Sequence, residues 1–161
     1  MPIVVDKDAC DLLDADHIAV KHLFVEYARL ATMPAADDGT ERAVYAAKIC
    51  QELSVHAQIE EEIFYPALQQ ALPGSGDLLE EARAEHQQAK DLIAQIEGAE
   101  PGPAMDDLVA ELNRAIEHHV KEERDELFPK ARSAKGMDLV ALGAKLRARQ
   151  LALQAPMAPG G

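Results

Sequence analysis

Apolar residues recur along this chain in alternating steps of three and four, the spacing by which an amphipathic α-helix buries one face. Breaker clusters at Met33-Pro34 through Asp38-Gly39, Pro73-Gly74-Ser75-Gly76, Gly98 through Pro103 and Lys135-Gly136, with a tail from Pro156, cut that pattern into pieces. The expected helices are segment A near residues 8–32, B near 40–71, C near 77–97, D near 104–132 and a shorter E near 137–154. Four of them carry an unusual stripe. Segment A reads Leu13, His17, Val20, Phe24, Tyr27, Ala31; segment B reads Ile49, Leu53, His56, Glu60, Ile63, Ala67. Segment C gives Leu79, Ala82, His86, Ala89, Ile93, Ile96, and segment D gives Met105, Leu108, Leu112, Ile116, His119, Glu123, Leu127. Each of these faces points one histidine toward the core, and B and D add a glutamate.

The chain also repeats itself. His56-x-x-x-Glu60 followed by Ile63-Phe64-Tyr65-Pro66 is matched by His119-x-x-x-Glu123 followed by Glu126-Leu127-Phe128-Pro129. Asp16-His17-x-x-Val20-Lys21-x-Leu23 is matched by Glu85-His86-x-x-Ala89-Lys90-x-Leu92. Two similar helix pairs imply a pseudo-two-fold arrangement in which equivalent side chains face one another. Pro66 and Pro129 lack a backbone donor, so each is expected to kink or end its helix just past the His/Glu turn.

Composition narrows the class. A chain of 161 residues is the size of one domain, and residues 1–161 are read as such, with a core over about 8–132 and a C-terminal helix and tail over 137–161. Richness in Ala, Leu, Glu, Gln and Lys favours an all-α fold. The formal charge of -13 argues against a nucleic-acid partner, which needs a basic face, and against an anionic membrane surface. Asp6, Lys7 and Asp8 stand where a signal peptide would be apolar, and no apolar run reaches the ~20 residues of a membrane span, so a cytoplasmic location is expected. Cys10 and Cys50 lack the paired spacing of a disulfide framework or a Cys-based zinc site and are read as free thiols.

The candidate chemistry sits on the stripes. His and Glu four residues apart lie one helical turn apart on one face and can reach the same pair of ions. An ionised glutamate in a helical core needs compensation, and no Lys or Arg lies on these four stripes, so a cation is the simplest partner. The candidate metal ligands are His17, His56, Glu60, His86, His119 and Glu123. Imidazole with carboxylate suits iron, manganese or zinc. A lone core histidine is usually structural, but independent accidents do not place one on each of four faces. His118 and Glu122 offer a competing register; the stripe and the spacing to Pro129 select His119 and Glu123. His22 is read as a surface residue, and Glu61, Glu62, Glu122 and Asp125 as solvated face first and as hydrogen-bond partners of the ligand imidazoles second. Tyr27 either stands near a ligand pocket or is an ordinary core tyrosine. Glu-x-x-His pairs, the mark of ferritin-like di-iron proteins, are absent from the sequence.

The joint motif, with its Phe/Tyr-Pro endings, resembles the hemerythrin-like HHE cation-binding family over about residues 10–132. The resemblance implies an antiparallel up-down-up-down four-helix bundle, here with an extra C-terminal helix. It also implies two non-haem iron ions, oxo- or hydroxo-bridged. His17 and His56 would hold one, His86 and His119 the other, and Glu60 and Glu123 would bridge. Oxygen carriers of that family have a second His one turn along helix C and an Asp near the end of the helix D motif, where this chain has Lys90 and Arg124. The implied function is binding or reaction with O2, peroxide or NO in sensing, detoxification or redox chemistry, a small molecule being the expected partner. The alternative is a non-catalytic iron-binding or iron-sensing protein that signals through a partner. Segment E, with Leu139, Leu142, Leu146 and Leu153 beside Lys145, Arg147 and Arg149, is expected to cap the helices or to pack in a homodimer.

Overall fold

The computed structural model describes residues 7–33 and 39–154; the expected break at 34–38 and the tail from Pro156 lie outside the described residues. Among the described residues there is no strand. Helix α1 runs Ala9–Ala31 and starts on a capping box, in which the Asp8 side chain accepts from the Asp11 backbone and Asp11 returns a bond to the Asp8 N–H. Helix α2 (Thr40–Ile59) passes through a π-helical turn at Glu60–Phe64 into α3 (Tyr65–Ala71). A 3-10 turn at Pro73–Ser75 leads into α4 (Gly76–Glu97). Helix α5 (Pro103–Glu122) likewise continues through a π turn at Glu123–Leu127 into α6 (Phe128–Ser133), and α7 spans Leu139–Gln154. Helix α1 packs on α2 and α5, and α4 packs on the same two, so four long helices enclose one interior; α7 lies against α1, α2 and the first π turn.

The interior holds two apolar clusters. One contains Leu13, Ile59, Ala82 and Leu127; the other contains Val20, Leu53, Ala89 and Leu112. Each of those pairs brackets one of the four stripe histidines along its helix, so the polar layer is sandwiched between two greasy ones. That placement removes water from the histidines and glutamates and strengthens every electrostatic interaction among them.

Of the two outcomes expected at the prolines, a kink or an end, neither helix ends there. Instead the turn before each one widens: the Tyr65 N–H reaches back five residues to the Glu60 carbonyl, and the Phe128 N–H to the Glu123 carbonyl. The helix then resumes with Pro66 and Pro129 in its first turn, where a missing N–H costs nothing. The extra residue in each widened turn also shifts the buried face. Past Glu60, Phe64, Tyr65 and Leu68 are fully buried, whereas the expected Ile63 and Ala67 are only partly so.

Candidate metal centre

Four helices deliver six polar side chains to the layer between the clusters. His17 comes from α1, His56 from α2, His86 from α4 and His119 from α5, while Glu60 and Glu123 each open a π turn. All six are buried, and both glutamates are completely inaccessible. The structure therefore brings together every residue that the sequence singled out as a ligand.

Their atoms form two halves joined by the carboxylates. The Nε2 atoms of His17 and His56 are 3.2 Å apart, and those of His86 and His119 are 3.1 Å apart. Glu60 Oε1 lies 3.1 Å from His56 Nε2, 3.2 Å from His86 Nε2 and 3.7 Å from His119 Nε2. Glu123 Oε1 lies 3.0 Å from His119 Nε2, 3.1 Å from His17 Nε2 and 3.9 Å from His56 Nε2. Each carboxylate thus touches histidines of both halves, the position a bridge occupies.

Outside this ring every imidazole is oriented by a carboxylate. His17 Nδ1 faces Asp14 Oδ1 at 3.3 Å, and His56 Nδ1 faces Asp16 Oδ2 at 3.0 Å. His86 Nδ1 faces Glu61 Oε2 at 3.1 Å, and His119 Nδ1 faces Glu85 Oε1 at 2.8 Å. An acceptor at Nδ1 places a proton there and leaves each Nε2 lone pair pointing inward, the arrangement that orients and strengthens a metal-binding histidine. The outer acids are themselves clamped, since Arg124 donates to Asp14 at 2.7 Å and Lys90 to Glu61 at 3.0 Å.

The donor set fits a metal, on three counts. Neutral imidazoles with facing Nε2 lone pairs repel unless a cation or a proton stands between them. Two nitrogens each ~2.1 Å from one ion and about a right angle apart lie roughly 3.0 Å from one another, close to the separations within each half. Finally, Glu60 Oε2 and Glu123 Oε2 are buried without any hydrogen-bond partner, a condition that costs several kcal/mol for a carboxylate unless something binds it. Without metal the centre leans on protons. Burial alone would depress His56, yet Glu60, Asp16 and Glu123 hold its pKa well above the ordinary imidazole range. Burial likewise opposes the charge on His119, but Glu123 and its other carboxylate neighbours raise it well above that range. Glu60 is penalised by burial and still held well below the ordinary carboxylate range by His56 and its neighbours.

Several residues escaped the sequence reading. Tyr65 is wholly buried, with its hydroxyl 3.3 Å from His86 Nε2 and 3.4 Å from His119 Nε2. Burial, then the charge of Glu123, raises its pKa well above the ordinary phenol range, so the hydroxyl keeps its proton. Tyr27, by contrast, does not serve the centre: it belongs to the second cluster and donates to Asp106 Oδ1 at 2.7 Å, beside the Arg42 guanidinium. Glu61 takes the lesser of its two expected places, a hydrogen bond to a ligand imidazole in preference to a solvated face, and orients His86. Asp14, Asp16 and Glu85 also carry no expected role, although the repeated acid–His pairs Asp16-His17 and Glu85-His86 mark two of them in the sequence. His118 is exposed, near Glu85 and Glu122 at 3.2 Å each, in keeping with the rejected register. Glu62 and Asp125 lie at the surface, paired with Arg149 and Lys121. Both cysteines are buried free thiols, pushed by burial up to about 12 for Cys10 and about 11 for Cys50.

A small cavity of about 30 Å³ adjoins the four imidazoles and is otherwise lined largely by apolar groups, among them Leu53, Ala57, Ala89, Ile93, Ile116 and Val120. A groove of about 460 Å³ between α1 and α5 reaches His17, Ile116 and Val120 from the outside.

An all-helical protein with a buried His/Glu donor set of this kind is a candidate metal-binding protein. The model of the hemerythrin HHE cation binding domain matches residues 8–131, and the chain belongs to that family. A solved structure of a hemerythrin HHE cation binding domain-containing protein from Mycobacterium kansasii is similar with a TM-score of 0.74 and 27% identity, covering 91% of this chain and 87% of that one. A curated relative named DNA nickase, from Nostoc sp. (strain PCC 7120 / SAG 25.82 / UTEX 2576), is 30% identical over 129 residues, 80% of this chain. The match spans only 34% of that relative's length. Among the described residues no helix is long and apolar enough to cross a membrane.

Proposed function

We propose that this chain is a non-haem di-iron protein, an antiparallel four-helix bundle with an added fifth helix, whose centre binds or reacts with O2, peroxide or NO. The observation that carries the reading is the pair of inaccessible glutamates, each with one unpartnered oxygen, set among four inward-facing imidazole nitrogens. His17 and His56 would hold one ion, His86 and His119 the other, and Glu60 and Glu123 would bridge them. When bound, the irons supply the redox chemistry; zinc or manganese also suits the donor set.

The chain's own residues define what can approach. A cavity of about 30 Å³ has room for a molecule the size of water or a diatomic, and its apolar walls disfavour larger polar substrates. Tyr65, kept protonated, can donate a hydrogen bond into the space between His86 and His119. Peroxide, O2 and NO fit these limits and a phosphodiester does not. The -13 charge likewise repels nucleic-acid phosphates, so the activity in the name of the longer Nostoc relative forms no part of this reading.

The test is elemental analysis of the purified chain together with its visible spectrum before and after reduction, and after adding O2, peroxide or NO to the reduced form. About two irons per chain and a spectrum that responds to at least one of these molecules are expected. Iron-loaded protein indifferent to all three would leave the iron-sensing alternative standing, whereas a chain that takes up no metal would defeat both.

A further inference from the structure

We infer that the fifth helix is part of the metal centre, and that Gln150 of α7 is a positioning residue which fixes Asp16 as the hydrogen-bond acceptor for His56. Helix α7 lies wholly beyond residues 8–131, the extent of the family match. Yet Gln150 is buried and its amide nitrogen lies 2.9 Å and 3.0 Å from the two Asp16 oxygens. Asp16 Oδ2 in turn accepts from His56 Nδ1 at 3.0 Å. The amide cannot be turned round, because its oxygen already accepts from Arg147 Nη1 at 2.9 Å. Arg147 thus donates to Gln150 and Gln150 to Asp16, while His56 donates to Asp16 from the other side, so the carboxylate is held in place between two donors.

The placement of α7 is as specific as the bond. Gly143 sits so close to the start of α1 that a Cβ there would fall 2.7 Å from the Lys7 carbonyl oxygen. One turn on, Leu146 is fully buried in the first cluster, and Gln150 follows one turn later on the same face. Close approach at the glycine therefore sets the depth at which the glutamine meets Asp16.

Among the described residues the other half of the centre has no equivalent: Glu85, which orients His119, is approached by His118 and Glu122 and receives no amide from a further helix. The two ions would thus be held unequally, with the His17/His56 ion aimed in part by α7 and the His86/His119 ion aimed by Glu61 of the first π turn and Glu85 of α4.

This inference rests on metal filling the centre as proposed above. The experiment uses the full chain loaded with ferrous iron, and follows release of iron to a competing chelator. Gln150→Met keeps the side chain's shape and removes its donor; Gln150→Glu keeps its length and opposes Asp16 with a second carboxylate. Both are expected to speed the loss of one of the two ions about tenfold, the size typical of an outer partner to a ligand histidine. Arg149→Ala, which breaks only the exposed pair with Glu62, is expected to leave release unchanged. In an Asp16→Ala background Gln150→Met should add nothing, since its effect runs through Asp16. Wild-type protein that holds iron, with Gln150→Met and Gln150→Glu releasing it at the wild-type rate, overturns this inference alone. Equal acceleration with and without Asp16 overturns the route. Wild-type protein that never holds iron overturns the parent reading instead.

Discussion

Glu60 and Glu123 are fully buried between the four helices, and their charge is answered, in the absence of metal, by the imidazoles around them. Burial and Glu60 push Glu123 upward, but His119 pulls it below the usual 4.5. The raised His56, His86 and His119 bind protons that the unfolded chain, at about 6.5, sheds first. Their stabilisation is whole below about 6.5 and is lost as pH rises through the raised folded values. The two glutamates contribute above about 4.5 and lose their contribution as pH falls through the lowered values. The metal-free chain should therefore melt highest between those ranges, and lower on either side, in thermal scans across pH. Iron affinity should rise with pH, because the ligands must give up protons to bind; competition titrations at several pH values check it. Tyr65→Phe preserves the ring's packing and removes the hydroxyl beside His86 and His119. Stability should change by about 1 kcal/mol, while the spectrum of the iron form with peroxide or NO should shift. The histidines and glutamates were legible in the sequence because they break apolar stripes that are otherwise continuous. Tyr65 was not, since a straight stripe through Ile63 and Ala67 leaves it off the buried face.

The reason for that miss lies in the helices themselves. A π turn inserts a residue into a stripe without any change in composition, and only the repeated ten-residue spacing from histidine to proline hints at it. Four expected helices match the long helical segments to within a few residues, because caps and breakers set their ends: Asp8 with Asp11 starts α1, and Pro103 opens α5. Gly39, with φ of +99°, turns the chain into α2 where an added Cβ would meet Pro101 at 2.8 Å. Segment E was legible as an amphipathic helix but not as a neighbour of the centre, since nothing in its own pattern names Asp16 as the partner of Gln150. Its docking gives an element-scale prediction. Gly143→Ala drives a methyl into the backbone of Lys7 and Asp8, so it should destabilise the chain by about 1–3 kcal/mol, seen as a lower melting temperature. The same variant should also release iron faster, because a displaced α7 draws Gln150 away from Asp16.

At the scale of the molecule, four helices share one polar layer, so whatever occupies that layer links all of them. With metal at about a thousandfold its dissociation constant, linkage stabilises the folded chain by ~4 kcal/mol. For a chain of this size that is a melting shift of about 10 °C, to be read by calorimetry with and without iron. An unchanged melting temperature in protein proven to hold iron would mean that the unfolded chain binds the metal as tightly as the folded one, and that the folded layer is not what holds it. By the resemblance drawn from the sequence, Lys90 and Arg124 would stand where oxygen carriers of the family keep two further metal-seeking side chains; here both reach outward to steady Glu61 and Asp14. Writing His at 90 and Asp at 124 would add two donors and unfasten two of the braces that aim the donors already present. Such a hybrid should hold iron less firmly than its parent: converting this chain toward a carrier means rebuilding the scaffolding around the ring before enlarging the ring.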